Sequence, residues 1–381
     1  MSYLKPSNSP SSDSGSLTQD LRNVARVCRF FCSVALPWIF ESFRLVIGRD
    51  ETGPGPENRT KFCRHLLNGE QAAETVAHFV KKCTVSFSRN AEIGWALQEL
   101  LAMYFKAISH MPNIEEIVLS HIIINKNALK SLARLERLKT LRIMYCHLAQ
   151  DVKENHLAKI STLRLSSLDI LFPPHVDLLM DQSNDSNHRL AAFLQQINWS
   201  CITQLVATEI TPTIEVSPKS LPLVKLDLRW IEMAPLLHLL ARTPSLRVLR
   251  VAKVSYPQQT PLDSSTAPML EELEAPLSVC TMLVPGRPVA NLSLANVAWQ
   301  GTLGLTEASI FRTGSCPISQ FRVPLQFYLD VPFWKHFPSL RVLRLDVITA
   351  NRDSTVMFNA PIQEVAWSSF LRKRLSLIPF L

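Results

Sequence analysis

The chain has 381 residues, 47% hydrophobic and 19% charged, a balance that excludes a disordered polypeptide and allows a sizeable core. Ten glycines against 25 prolines argue against glycine-rich phosphate loops and favour regular elements closed off by prolines. The net charge of +8 is spread thinly, with one tight basic cluster at Arg372, Lys373 and Arg374, and no apolar run approaches the roughly 18 residues of a membrane span.

In chain order, residues 1–16 ("MSYLKPSNSPSSDSGS") are polar, lack the apolar stretch of a signal peptide and read as a disordered tail. That predicts a cytoplasmic or nuclear protein whose eight cysteines stay reduced. Residues 17–45 ("LTQDLRNVARVCRFFCSVALPWIFESFRL") follow. Leu21, Val24, Val27, Cys28, Phe31, Val34 and Ala35 fall at helical spacings of three and four, with Arg22, Arg26 and Arg29 on the opposite face. Pro37 is expected to interrupt this helix, and residues 38–43 to start a short second one. Residues 43–45 ("FRL") are strand-like. Further on, "CTVSF" (83–87) is a candidate first strand between helical stretches at 62–80 and 91–111.

From there the chain becomes periodic. The heptad "PSLRVLR" occurs at 244–250 and again at 338–344. Looser copies share its plan: a polar or proline step, an aliphatic residue, two variable residues, then an apolar–x–apolar triplet. Their last apolar positions are 119, 143, 165, 207, 228, 251, 275, 294, 323, 345 and 367. Such a triplet alternates sides of a strand, so both anchors face one way and the middle residue the other. Helical spacing between triplets, as in "IEMAPLLHLLART" (231–243), completes a strand-plus-helix unit. Repeats of 20–29 residues with this plan are the signature of a leucine-rich repeat. The expected fold is therefore an α/β leucine-rich-repeat solenoid, a curved parallel strand ladder with helices on its outer side. Cys146 stands where such repeats usually hold Asn or Cys; Ile122, Ile231, Val254, Val297 and Ile348 stand there in other units, which makes the repeats irregular. The polar run "DQSNDSNHR" (181–189) reads as a loop protruding from one over-long repeat.

The segment before the ladder resembles the later two-thirds of an F-box. The resemblance rests on Asp20-Leu21, Val24, "RVCRFF" (26–31) and "ALPWIF" (35–40), leading into "FRL". An F-box followed by irregular leucine-rich repeats is similar to a large family of proteins in filamentous fungi. The family motif opens with a Leu-Pro pair and a first helix; here "SNSPSSDSGS" (7–16) holds that place, so the F-box is partial. The resemblance implies a non-catalytic substrate-recognition subunit of an SCF-type cullin–RING ubiquitin ligase. It places contact with a Skp-type adaptor at Leu21, Val24, Val27, Phe31, Leu36, Pro37, Trp38 and Phe40. The same residues also suit a helical cap on the open end of the solenoid, which leaves an interaction scaffold that recruits no ligase as the alternative. The implied organisation is a tail at 1–16, a partial F-box at 17–47, a linker at 48–60 and the solenoid at 61–381.

The middle residues of the triplets should line the concave face. They include Arg142, Arg164, Arg250, Arg322 and Arg344, against the acids Asp227 and Glu274. Arginine forks suit carboxylates and phosphates, so an acidic or phosphorylated target protein is expected there, unless cross-strand acids neutralise the arginines. No phosphate-binding glycine loop, nucleophile elbow or zinc-protease motif occurs, and Cys28, Cys32, Cys63 and His65 fit no common metal spacing. No face interleaves aromatic and basic residues. The expectation is no enzyme, no cofactor, no nucleic acid and no membrane.

Overall fold

The computed structural model describes residues 14–47, 56–87, 95–171, 192–209, 220–255, 262–295, 309–324, 337–349 and 352–359. They fall into two compact units, one of residues 1–165 with 173–198, the other of residues 166–172 with 199–381. The fold is α/β, of the leucine-rich-repeat solenoid type: each unit is built on a ladder of parallel strands.

In the first unit, strands β1 (Ser42–Ile47), β2 (Lys82–Phe87), β3 (Glu116–Ser120) and β5 (Thr140–Met144) pair in that order, all parallel. Their inward anchors Leu45, Val85, Leu119 and Ile143 stand side by side and are buried. The two-residue strands β4 (Ile123–Ile124) and β6 (His147–Leu148) form a second, small parallel pair just beyond. Helices α1 (Ser14–Ala25) and α2 (Arg29–Ile39) precede the ladder, and α3 (Pro56–Leu67), α4 (Gln71–Ala77), α5 (Trp95–Ile108), α6 (Lys126–Leu132) and α7 (Glu154–Leu157) alternate with its strands. The ladder thus begins at β1, inside the segment expected as F-box, and α3 starts inside the expected linker. The reason is local: β1 alternates exposed and buried residues with period two, so Leu45 and Ile47 extend the core.

In the second unit, β7 (Ser167–Leu171), β8 (Gln204–Glu209), β9 (Lys225–Glu232), β10 (Val248–Ser255), β11 (Glu272–Ala275), β12 (Asn291–Leu294), β13 (Gln320–Pro324) and β14 (Val342–Thr349) pair in sequence order, all parallel. Helices α8 (Met233–Ala241) and α9 (Leu277–Leu283) sit between strands. Strand β15 (Arg352–Asn359) turns back antiparallel on β14. The expected repeat at 360–367 lies outside the described residues.

One register differs from expectation. The triplet at 163–165 is not a strand; β7 starts at Ser167 and its anchors are Leu168 and Ile170, level with Leu205 and Ala207 of β8. A 3-10 helix runs to Thr162, and the chain needs residues to turn from helix to strand. Elsewhere that turn takes 242–247 or 133–139; here 163–166 serve, with Leu163 and Leu165 buried in the turn itself. Arg164 therefore lies ahead of the strand, not on its face.

A recurring hydrogen-bond pattern joins the rungs. Before ten of the described strands, one carbonyl accepts the N–H groups of two successive residues from the next repeat. Glu41 receives Lys81 and Lys82, Lys81 receives Glu115 and Glu116, and Glu115 receives Lys139 and Thr140, at 2.8–3.0 Å. In the second unit Ser166, Thr203, Val224, Arg247, Glu271, Ala290 and Ser319 do the same. Where Asn would hold the following turn, the first unit uses backbone bonds: His121 N–H donates to the Met144 carbonyl at 2.9 Å and His147 N–H to the Ile122 carbonyl at 3.1 Å. Ile122 and Cys146 are then free to be buried, and Cys146 Sγ donates to the Met144 carbonyl at 3.4 Å. His121 and Tyr145 both carry φ of 56°, and their rings stack at 4.9 Å. A stacked pair contributes about 0.5–1.5 kcal/mol, which offsets part of the roughly 1–2 kcal/mol that left-handed backbone costs at each of the two residues.

Arg287, fully buried at 0% exposure, ties down the end of α9. Its Nη1 donates to the carbonyls of Leu283 (2.9 Å) and Pro285 (3.0 Å), Nε to Thr266 (2.7 Å) and Nη2 to Asp263 (2.6 Å). Burial pulls its guanidinium below the usual arginine range, and the negative charge of Asp263 opposes that shift. Oriented carbonyl dipoles, including those at a helix C-terminus, hold the cation. Replacing Arg287 with Met orphans these acceptors, so Arg287→Met should destabilise the fold by about 3 kcal/mol in urea melts, at roughly 1–3 kcal/mol per stranded buried group. Exposed Arg247→Met should cost less than about 1 kcal/mol.

Candidate functional site

Two surfaces stand apart from the packed core. The first is the α1–α2 hairpin. Helix α1 ends in a tight turn, with Arg26 N–H donating to the Asn23 carbonyl and Val27 N–H to the Val24 carbonyl, both at 3.1 Å. Cys28 is extended (φ −162°, ψ 168°), and its carbonyl accepts from Cys32 N–H to start α2. The chain thus breaks at 26–28, not at Pro37, which sits inside the last turns of α2. Proline there removes only the donor that would have met the Ser33 carbonyl, and the Phe40 N–H still reaches the Leu36 carbonyl at 3.0 Å.

This break reorganises the apolar residues. Ala35 is buried, and Cys32, Leu36 and Ile39 are half-buried beside it, the inward face of α2 at helical spacing. On the other side, Val27 (70% exposed), Phe30 (62%), Phe31, Val34 and Trp38 (50%) point to solvent, joined by Val24 from α1. Phe30 and Phe31 meet edge to face at 5.6 Å. Of the residues expected to touch an adaptor, Val24, Val27, Phe31 and Trp38 are exposed, while Leu21, Leu36, Pro37 and Phe40 are half-buried. Phe30 and Val34 join the exposed set. Restarting the helical count at Arg29 places Phe30, Val34 and Trp38 at i, i+4 and i+8. Arg22, Arg26 and Arg29 of the same hairpin are also exposed.

The second surface is the sheet face opposite the core, where the middle residues of the triplets point. The five arginines expected there do not act alike. Arg142 is in the first unit, its Nε 3.2 Å from Glu116 Oε1, while Lys82 Nζ lies 3.8 Å from Oε2 of the same carboxylate. Arg164 is exposed but off the strand. In the second unit Arg250 is quenched. Its Nη2 lies 2.7 Å from Glu272 Oε1 and its Nε 3.7 Å from Glu274 Oε2. The Glu272 hydrogen bond, helped by the charges of Glu272, Glu274 and Asp227, pushes its pKa above the usual value. Arg322 and Arg344 stand directly opposite each other on β13 and β14, both half-exposed, and Arg344 Nε is buried without a hydrogen-bond partner.

Nothing among the described residues gathers three or more His, Cys, Asp or Glu side chains for a metal, and no described helix is long and apolar enough to cross a membrane. Burial raises the thiol of Cys63 to about 12 and that of Cys146 to about 11, and pushes Cys83 and Cys280 up as well, so these four stay protonated and inert as nucleophiles.

No protein-family profile and no curated protein matches this chain. Among solved structures it is similar to TLR13 in a complex with ssRNA13, at 14% identity over 73% of this chain with a TM-score of 0.40. The chain spans 41% of the length of that TLR13 chain. It is also similar to an internalin from Listeria monocytogenes, at 13% identity over 77% of this chain and 92% of that one, with a TM-score of 0.32.

Proposed function

We propose that this chain is a substrate-recognition subunit of an SCF-type cullin–RING ubiquitin ligase, with the α1–α2 hairpin docking on a Skp-type adaptor and the outward sheet face holding a target protein. It performs no chemistry itself; it brings two proteins together. The observation that carries the reading is the second, solvent-facing apolar side of α2. Among the described residues, six of the eight large exposed hydrophobic side chains lie on this one hairpin, the other two being Val224 and Met269. A cap that merely sealed the end of a ladder would turn its polar side outward; a contiguous exposed apolar patch marks a partner surface. Exposed aromatic residues and arginines on one hairpin match the composition of interface hot spots.

The outward face suits the second task because its residues are uncommitted to the core. The buried anchors fix the ladder, and the alternate positions vary from Val206 to Asp227 to Arg322 without disturbing it. The reduced thiols suit the cytoplasm or nucleus, where this ligase class works.

Capture of a purified Skp-type adaptor by the full chain tests the reading. Wild type should bind, and Val27→Ser together with Trp38→Ala should weaken capture at least tenfold, since hot-spot truncations cost about 2 kcal/mol or more each. The melting curve should stay unchanged because both side chains are already exposed. Absence of binding by the wild type would leave the interaction scaffold. As a second check, Phe30→Ala should weaken capture more than Leu21→Ala weakens it per unit of lost stability, because Phe30 is exposed and Leu21 half-buried.

A further inference from the structure

Strand β1 opens the ladder of the first unit, and among the described residues it pairs with β2 alone. The register decides which of its backbone groups are left over. Glu41 turns its carbonyl to Lys81 and Lys82, and Ser42 lies level with Lys82. Along a strand, each residue turns its N–H and C=O to one side and the next residue turns them to the other. Phe43, Leu45 and Ile47 therefore face β2, while Ser42, Arg44 and Val46 turn theirs to the open edge. Among the described residues nothing bonds to those three on that side. Ser42 and Arg44 are exposed and Val46 is half-buried, so water satisfies the row. The side chains of the same three residues stand on the outward face. Arg44 makes no ion pair or hydrogen bond among the described residues. Its neighbours across β2 are Lys82, Thr84 and Ser86, none of them acidic, and Glu41 is engaged by Lys81 at 3.6 Å.

We infer that the open edge of β1 accepts an extended segment of a partner protein as one more strand, with a carboxylate of that segment beside Arg44. Only extended chain matches a row of donors and acceptors repeating every second residue, at about 6.6 Å; a helix has spent its backbone groups internally. Backbone bonds supply attachment, and the pairing with Arg44 selects the sequence. A second copy of this chain fits badly. Two β1 edges paired antiparallel about Arg44 would set the two arginines opposite each other at about 4.5–5.5 Å, where like charges repel. A cation on an edge strand thus blocks self-pairing and favours an acidic guest. On the core side Leu45 and Ile47 are only 0% and 1% exposed, so an added strand finds no apolar surface beside them to cover. Small residues suit the alternate positions of the guest. That the segment belongs to a ligase target rests on the receptor reading above; the edge itself does not.

Amide hydrogen exchange of the full chain, read residue by residue, tests this. In the free protein Ser42, Arg44 and Val46 should exchange fast while Phe43, Leu45 and Ile47 exchange slowly. The probe is the synthetic peptide acetyl-ATAEATA-amide, which should slow the three fast amides saturably. Its lysine counterpart, acetyl-ATAKATA-amide, should bind about fivefold more weakly, and Arg44→Glu should reverse the order of the two peptides. N-methylating alternate residues of the glutamate peptide should abolish protection for one alternating set and spare it for the other, because only one set meets β1. Slow exchange at the three amides in dilute free protein, no protection by the glutamate peptide, equal response to both peptides, or an unchanged order in Arg44→Glu overturns the site. Protection that grows with protein concentration alone makes a second copy the occupant and overturns it too. The readout needs no adaptor: a chain that binds the peptide but captures no Skp-type protein keeps the edge site and loses the ligase role, and the converse keeps the ligase role and loses the site.

Discussion

Everything else in this protein depends on how one repeat grips the next, and the grip is a carbonyl that accepts two hydrogen bonds. In parallel sheets the bonds between strands are slanted and somewhat weaker than in antiparallel ones. Ten of the described strands receive extra anchorage where they begin, because the carbonyl just ahead of each takes two successive N–H groups from its neighbour. That fixes register before the first anchor is placed. A slip of one residue would turn every Leu and Ile anchor to solvent. Side chains that differ from repeat to repeat can then follow without consequence for the ladder.

How much of this could be read in the sequence follows from which forces are periodic. The apolar–x–apolar anchors are set by burial, repeat at every rung, and reveal β3, β5 and β8–β14 directly. At 163–170 two neighbouring triplets compete, and periodicity alone favours the wrong one; the distance from the preceding helix decides in favour of Leu168 and Ile170. The turn at 26–28 was hidden for the same reason. Residues 17–36 show continuous helical spacing, and no glycine or proline marks the break, so a single helical wheel fits both helices. Capping by an extended Cys28 leaves no compositional trace.

Charge was the least legible. Five arginines on triplet positions look alike in sequence, yet the acid that quenches Arg250 comes from both Glu272 and Glu274, and Glu272 is not a triplet centre but the outward position just before it. Arg287 gave no signal at all. It belongs to no triplet, and its partners are main-chain carbonyls of residues 263, 266, 283 and 285, which any sequence supplies. A buried cation whose hydrogen bonds all go to main-chain carbonyls is a property of the backbone path.

The carbonyl of Glu41 is both the end of the α1–α2 hairpin and the first rung of the ladder, since only Phe40 and Glu41 separate α2 from β1. The hairpin is therefore not slung from a flexible tether. It is a stiff handle, grown directly out of the sheet, and twisting it means pulling Lys81 and Lys82 off their acceptor. A molecule that seizes the handle consequently sets the heading of the first unit's strands as well as their location.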